Sequence, residues 1–219
     1  MKDYQALNFI KQEGICAIVR GTSSDKMCQV AEALLKGGVK TVEVTFNTPG
    51  AAKMIEQLVL KYGEQMLIGA GTVLDAETAK VAIASGASFV LSPTLNIGMI
   101  ETCQRYSVLP VPGTSTPTEA LTAWENGARI VKIFPAGVLG PMYIKQLKGP
   151  LSQIETMAVG AVNLANFADL IEAGACSAGI GGNLVNQELV ENNQFAEITK
   201  RAADFAATFK KIRNKVIRF

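Results

Sequence analysis

A lysine interrupts an apolar run in the second half of the chain. Alternation along the strand predicted for Ile130-Val-Lys-Ile-Phe134 places Ile130, Lys132 and Phe134 on one face. Lysine is seldom buried without a partner or a role. A buried amine loses its proton more readily than one in water, and the neutral amine attacks carbonyl carbons. Lys132 is therefore a candidate nucleophile, with an edge strand or a buried ion pair as the structural alternative.

A second strand is polar on one face only. In Thr41-Val-Glu-Val-Thr-Phe-Asn47, the side chains of Glu43, Thr45 and Asn47 alternate with apolar ones. A polar face of this kind points into a barrel or its mouth. A carboxylate there can move protons while an imine forms and is hydrolysed. The alternative is a carboxylate that only neutralises Lys132.

Residues that could bind an anion follow several strands. Arg20 ends the first predicted strand and could hold a carboxylate or phosphate, or form a surface ion pair. Two glycine-rich segments follow late strands, at 159–163 and 179–183. Barrel loops after strands seven and eight often bind phosphate through backbone N–H groups, although tight turns also use glycine. Residues 69–72 lack the third glycine of a dinucleotide-binding loop and are not interpreted as one. Thr72 is assigned to the mouth of the site instead.

These residues require a regular scaffold, and eight β-type runs supply it. Their centres lie about 19 to 27 residues apart, which is the length of one βα unit. The spacing predicts an α/β fold, a (β/α)₈ TIM barrel, with an open doubly wound sheet as the alternative. The predicted strands are Ile15–Arg20, Thr41–Phe46, Met66–Thr72, Phe89–Pro93, Val108–Pro112, Arg129–Phe134, Thr156–Gly160 and Ala178–Gly181.

Helices are expected between the strands and at both ends of the chain. Asp75 and Asn163 stand where helix N-caps are expected. Two extra helices are predicted, one over Asp3–Glu13 and one at the C-terminal end. The C-terminal helix has apolar residues at steps of three and four. We expect this apolar stripe to pack on the barrel rather than form a coiled coil. The whole chain, 1–219, is predicted to be a single domain. The C-terminal apolar positions are Phe195, Ile198, Ala202, Phe205, Phe209 and Ile212, and the glycines expected to end helices are Gly37, Gly38, Gly86, Gly127 and Gly174.

Composition excludes several classes of protein. With 48% apolar and 18% charged residues, the chain has the composition of a folded protein. The net charge is +2, and basic residues cluster only at Lys210, Lys211, Arg213, Lys215 and Arg218, so we expect a solvated helix end and neither nucleic acid nor membrane as a partner. Histidine is absent, which excludes a Ser-His-Asp triad, a histidine base and histidine-ligated zinc.

The cysteines and the N-terminal segment indicate a compartment. The four cysteines lie far apart without a Cys-x-x-Cys pair, which is typical of reduced thiols. Residues 1–9 carry no long apolar run and no cleavage site, so we expect neither a signal peptide nor an anchor. A cytoplasmic location is therefore predicted.

Several motifs occur together and in one order. The chain resembles the KDPG/KHG aldolases, class I enzymes that act on 2-keto-3-deoxy-6-phosphogluconate (KDPG) and 4-hydroxy-2-oxoglutarate (KHG), from about Ile10 to the loop after the eighth strand. The segments that carry the resemblance are Thr41-Val-Glu43-Val-Thr45, Ile68-Gly-Ala-Gly-Thr72-Val-Leu74, Ser92-Pro93, Pro112-Gly113 and Val131-Lys132-Ile-Phe134-Pro135.

The resemblance implies a function and a set of roles. It implies that Lys132 forms a Schiff base with a 2-oxo acid, that Glu43 shuttles protons, and that Thr72, Pro93 and Phe134 border the pyruvate end. It also implies a homotrimer with a small-molecule substrate, no cofactor and no metal ion. Pyruvate and an aldehyde, glyceraldehyde 3-phosphate or glyoxylate, would be the products. An isomerase or epimerase on a phosphate-binding barrel, or a non-catalytic barrel that binds sugar acids, is the alternative function.

Three departures from the family pattern bear on substrate binding. Asn47 stands where many members that act on KDPG have arginine, as in members that act on the galactonate epimer, so carboxylate binding would depend on Arg20. Ala161 replaces the second glycine after Gly160. Asn183 replaces the serine that commonly follows the glycines of the last loop, here Gly181 and Gly182. Backbone N–H groups remain at all of these loop positions.

Overall fold

The computed structural model describes residues 2–216, and the side chains of residues 2–214. The side chain of Lys215 and all of Arg218, from the predicted basic end, lie outside the described residues. The strands are β1 Ile15–Val19, β2 Thr41–Thr45, β3 Leu67–Gly71, β4 Phe89–Leu91, β5 Leu109–Val111, β6 Gly113–Thr114, β7 Ile130–Ile133, β8 Glu155–Val159 and β9 Ser177–Ile180. The helices are α1 Asp3–Glu13, α2 Ser24–Lys36, α3 Ala51–Tyr62, α4 Ala76–Ala84, α5 Ile97–Arg105, α6 Pro117–Glu125, α7 Ala136–Lys148, α8 Phe167–Glu172, α9 Gln187–Glu191 and α10 Phe195–Val216.

The strands form one parallel sheet in the order β5-β4-β3-β2-β1-β9-β8-β7-β6. Its two ends are consecutive in the chain, because only Pro112 separates β5 from β6. The sheet therefore curls into a barrel of the TIM type. An open doubly wound sheet would reverse its strand order at a switch point, and this order does not.

The fifth predicted strand is longer than expected. Prediction ended it at Pro112, but pairing resumes at Gly113, which lies opposite Lys132. Proline has no N–H and interrupts the hydrogen-bond ladder on one side. Its carbonyl remains free to accept a bond from the backbone N–H of Lys132 at 2.8 Å. One bent segment thus pairs with β4 on one side and with β7 on the other.

Two separate layers of apolar side chains hold the barrel. The outer layer packs the helices onto the sheet. The inner layer fills the barrel interior with residues from alternate strand positions, namely Cys16, Ile18, Leu67, Phe89, Leu91, Leu109, Val111, Ile130, Met157 and Val159. Ala6 and Ile10 of α1 belong to the same inner cluster. Helix α1 therefore covers the end of the barrel at which the strands begin.

Helix α10 packs along the side of the barrel against α2 and α8. Its apolar positions Ile198, Ala202 and Phe205 are buried. The Phe205 ring meets that of Phe167 edge-on at 5.4 Å between centroids.

Every helix within residues 2–216 is too short or too polar to span a lipid bilayer.

The helix boundaries follow the predicted signals with one exception. Asp75 caps α4 as predicted, accepting a hydrogen bond from Thr78 N–H. The N-cap prediction for Asn163 is wrong, because α8 begins later and its N-cap is Asn166. Asn163 instead forms a tight turn in which its side-chain oxygen accepts from two backbone N–H groups. Four of the predicted glycines have positive φ, namely Gly38, Gly86, Gly127 and Gly174.

Removing the side chain of Ile10 tests the role of α1. Ile10 is only 1% exposed inside the inner cluster. We expect Ile10→Ala to lower the free energy of unfolding by about 2 to 5 kcal/mol, through lost burial and the cavity left behind. Urea denaturation measures the change. The control is Leu60→Ala, because Leu60 is 88% exposed and its truncation should change stability by less than about 0.5 kcal/mol. Equal effects of the two substitutions would contradict a structural role for α1.

Candidate active site

A cavity of about 740 Å³ opens at the ends of the strands. The residues that line it come just after, or at the end of, strands around the barrel, as in other barrels whose sites lie at the carboxyl-terminal face. Of the predicted site residues, those that line the cavity are Arg20, Glu43, Asn47, Thr72, Pro93, Lys132, Phe134, Gly160, Ala161, Gly181, Gly182 and Asn183.

Lys132 projects from β7 into this cavity and is only 5% exposed. Its Nζ lies 4.9 Å from the centroid of the Phe134 ring. Burial lowers the pKa of Lys132 below 10.5, since a dehydrated ammonium group is unfavourable. The charge of Glu43 opposes this shift, and the charge of Arg20 adds to it. The position thus favours the neutral amine.

Glu43 faces the same space from β2 and is 1% exposed. Burial raises the pKa of this carboxyl above 4.5, while the charges of Lys132 and Arg20 act in the opposite direction. Its Oε2 makes no hydrogen bond within the described residues. The four salt bridges among the side chains of residues 2–214 do not include Glu43 and Lys132. The carboxyl therefore retains an oxygen available to a water molecule or a substrate.

The glycines of β3 leave room for two side chains inside the barrel, one of which is that of Glu43. Gly71 has no side chain at the place where the Glu43 carboxylate lies, and a β-carbon there would overlap it. Gly69 similarly leaves room for the ring of Phe89. The segment Gly69-Ala-Gly71 is thus explained by close packing inside the barrel.

The backbone near the inner end of the cavity is also close-packed. Thr72 has φ of 55°, a left-handed conformation that is costly for a β-branched residue and often marks a functional position. Gly113 allows the Pro93 backbone to approach, since a β-carbon on Gly113 would overlap the Pro93 carbonyl group. Thr72 and Pro93 both line the cavity that Lys132 enters.

The outer part of the cavity is lined by the two glycine-rich loops. After β8, Gly160 and Ala161 have φ of 96° and 54°. Both values lie in the left-handed region, which is uncommon for alanine. After β9, Leu184 and Val185 both donate to the carbonyl of Gly181, at 2.8 and 2.9 Å. Gly182 and Asn183 are the first two residues of this turn after Gly181, and their N–H groups have no partner within it.

Charge is unevenly distributed around the cavity. Lys132 and Arg20 are its cationic lining residues, and both act at the Glu43 end, as their effects on the pKa of Glu43 show. The glycine-rich end carries amide side chains instead, from Asn183, Asn186 and Gln187. Among residues 2–214, no group of three Cys, Asp or Glu side chains could hold a metal ion.

Thr45 is the one predicted site residue outside the cavity lining. It is fully buried; its hydroxyl donates to the carbonyl of Val19 at 3.4 Å and lies 3.1 Å from the hydroxyl of Thr48. Thr45 therefore ties β2 to β1 and does not face the cavity as predicted. Sequence reasoning missed other lining residues, namely Ile18, Val159 and Gly179 within strands, and Gly21, Val162, Val185, Asn186 and Gln187 after them. Of the last five, four lie in loops and Gln187 begins α9, so strand periodicity marks no inward face for them.

The fold and site together are typical of a barrel enzyme that acts on a carbonyl group, because a buried amine with a lowered pKa and a buried carboxyl face one cavity. Comparison with known proteins specifies the enzyme further. Residues 7–201 match the family model for the KDPG and KHG aldolases.

Relatives span nearly the whole chain. A 2-dehydro-3-deoxy-6-phosphogalactonate aldolase from Escherichia coli is 36% identical over 90% of this chain and 93% of its own length. A 2-dehydro-3-deoxy-phosphogluconate aldolase from Haemophilus influenzae is 33% identical over 89% and 92%. The crystal structure of the Legionella pneumophila KDPG aldolase, in which pyruvate is captured as a covalent carbinolamine, has a TM-score of 0.85 at 26% identity, over 91% of this chain and 97% of that one.

The chain belongs to the KDPG and KHG aldolase family and is a lyase of the class I, Schiff-base type. The resemblance seen in the sequence motifs is thereby confirmed.

Adding one methyl group at Gly71 tests how Glu43 is held. The new β-carbon of Gly71→Ala would displace the Glu43 carboxylate. We expect kcat to fall by about 100- to 10,000-fold, the usual cost of losing a general acid or base, while the protein stays folded by circular dichroism.

The control for this experiment is Gly98→Ala in α5. A β-carbon at Gly98 would lie 3.5 Å from that of Ala76, which is an ordinary contact. Full activity of the Gly71→Ala variant would show that the position of Glu43 does not matter for catalysis.

Proposed function

We propose that Lys132 is the amine that forms the Schiff base and that Glu43 moves the protons. The observation that carries this proposal is that both groups are buried in one cavity, where burial shifts the pKa of each toward its uncharged form. The uncharged amine is the nucleophile, and the uncharged carboxyl is a proton donor. Burial thus increases the share of each reactive form relative to the same group in water.

The reaction follows from these two forms. The neutral amine of Lys132 attacks the C2 ketone, and the resulting carbinolamine loses water after Glu43 protonates its hydroxyl. The iminium then accepts the electron pair of the C3–C4 bond as that bond breaks, while the C4 hydroxyl loses its proton and becomes an aldehyde. The remaining enamine is protonated at C3, and water releases pyruvate and the free amine. Nothing is oxidised or reduced.

The proposed substrate is a 2-keto-3-deoxy-6-phospho sugar acid, KDPG or its galactonate epimer, which would yield pyruvate and glyceraldehyde 3-phosphate. KHG is a further proposed substrate, which would yield pyruvate and glyoxylate. The names of the Escherichia coli and Haemophilus influenzae relatives support phosphorylated substrates. Arg20 is assigned to the carboxylate because its charge acts at the Glu43 end, and Asn47 lines the same cavity. The glycine-rich loops are assigned to the phosphate. Thr72, Pro93 and Phe134 enclose the pyruvate portion.

Substrate turnover tests the proposed reaction. We expect the purified protein to release pyruvate from the phosphorylated epimers, and more slowly from KHG, as followed with lactate dehydrogenase and NADH. Activity should survive EDTA, because the amine replaces a metal ion in activating the carbonyl. Pyruvate release that stops with EDTA and returns with a divalent ion would overturn the Schiff-base account. Isomerisation of a sugar phosphate without pyruvate release would favour an isomerase.

The pH dependence of kcat/KM reports on Lys132. The pKa of its amine is lowered by burial, so the reactive neutral fraction increases with pH and levels off below 10.5. We expect an ascending limb with its midpoint below 10.5. Arg20→Gln should move that midpoint upward, since the Arg20 charge lowers the pKa of Lys132.

The control for the pH profile is Arg105→Gln, which removes an exposed guanidinium at the end of α5. Its profile should match that of the unmodified protein. An Arg20→Gln profile with an unchanged midpoint would show that Arg20 does not act on the amine.

We further propose that residues 1–219 form one domain and that three copies assemble into a homotrimer in the cytoplasm. One curled sheet that links every strand supports a single domain. Val138 and Met142 of α7 are 78% and 63% exposed, which suits an apolar contact between copies. All four cysteines are free, which suits a reducing compartment. Light scattering should give three times 23.2 kDa, and the monomer mass would contradict the trimer.

A further inference from the structure

The side chain of Asn166 forms two hydrogen bonds with the backbone of the loop that follows β8. Its Nδ2 donates to the carbonyl of Ala161 at 3.0 Å, and its Oδ1 accepts from the backbone N–H of Asn163 at 2.9 Å. One amide group therefore binds the peptide groups on both sides of Val162, much as a neighbouring β-strand would. These two bonds fix the orientation of both peptide planes.

These two hydrogen bonds determine the direction of the Val162 N–H. In a trans peptide, the carbonyl and the following N–H point to opposite sides. Because the Ala161 carbonyl points to Asn166, the N–H of Val162 points away from it. The Val162 carbonyl also points away from Asn166, and it accepts from Asn183 Nδ2 at 2.7 Å. Val162 and Asn183 both line the cavity, so this N–H is directed toward the gap between the two glycine-rich loops.

The preceding peptide is held in a similar way. The carbonyl of Gly160 accepts from the N–H of Gly137 at 2.8 Å, so the N–H of Ala161 points away from Gly137. Ala161 has φ of 54°, a conformation that a residue with a β-carbon adopts only when its surroundings hold it there. The hydrogen bond from Asn166 to its carbonyl supplies that support.

We propose that Asn166 is a positioning residue for the phosphate group of the substrate. It orients the N–H groups of Ala161 and Val162 toward the phosphoryl oxygens without touching them, since it is not among the described residues that line the cavity. The inference rests on the proposed function, in which these loops bind the phosphate. Asn166 thereby affects binding of the phosphate end of the substrate indirectly, through the loop backbone, while Lys132 reacts with the other end.

The test compares two aldehydes that differ only in the phosphate. Pyruvate is condensed with glyceraldehyde 3-phosphate or with glyceraldehyde, and kcat/KM is measured for each. We expect Asn166→Ala to lower kcat/KM for the phosphorylated aldehyde by about 10- to 100-fold, the effect of losing a hydrogen bond to a charged group. The value for glyceraldehyde should change by less than about threefold. Inorganic phosphate should also inhibit the glyceraldehyde reaction less in the variant.

The matched control is Asn126→Ala. Asn126 also donates its Nδ2 to a backbone carbonyl, that of Thr122 at 2.8 Å, but it lies at the end of α6, before β7 begins. This variant should leave both aldehyde reactions unchanged. If Asn166→Ala does not fold, Asn166→Asp keeps an acceptor for the Asn163 N–H and removes the donor to Ala161, and the same selective loss is expected.

Two failures are distinguishable. If the unmodified protein uses both aldehydes equally well and phosphate does not inhibit it, the proposed phosphate site itself is wrong. If the unmodified protein prefers the phosphorylated aldehyde and Asn166→Ala keeps that preference, or loses both activities equally, Asn166 does not position the phosphate and the inference is overturned.

Discussion

The chemistry of this protein depends on keeping water away from one amine and one carboxyl. An ammonium group and a carboxylate are both strongly hydrated, and removing that water favours their uncharged forms. Lys132 and Glu43 are 5% and 1% exposed. Each group partly compensates for the burial of the other, and Arg20 supplies a further charge that favours the neutral amine. The result is a nucleophile and a proton donor in one cavity.

The remainder of the barrel maintains that dehydrated environment. The inner apolar cluster lies beneath the two groups, and α1 covers the far end of the barrel. Gly71 and Gly113 supply space where a side chain would displace the carboxyl or the Pro93 backbone. The opposite requirement applies at the outer end of the cavity, where an anion needs exposed N–H groups. There the amides of Asn166 and Asn183 hold the loop backbone in a fixed orientation.

Much of this arrangement was predictable from the sequence, because it depends on periodicity. Alternation within strands identified Lys132 and Glu43 as inward-facing, and regular spacing of the strands indicated the barrel. Features that depend on contacts distant in sequence were not predictable. Thr45 shares the face of Glu43, yet it bonds to Val19 and Thr48 and does not reach the cavity. Pro112 ended the predicted strand, although its carbonyl bonds to Lys132 across the closing edge of the barrel. Asn163 and Asn166 are the same residue type three positions apart, and only the loop geometry shows which of them occupies the N-cap position of α8.

The most direct test of the account is the mass of the intact protein after incubation with pyruvate and sodium borohydride, which reduces an imine to a stable adduct. We predict that the unmodified chain gains one reduced pyruvate and that Lys132→Met gains none. Lys148→Met, which removes another lysine whose Nζ bonds to backbone carbonyls, should gain it normally. An adduct on the Lys132→Met variant, or none on the unmodified chain, would contradict the assignment of Lys132 as the Schiff-base lysine.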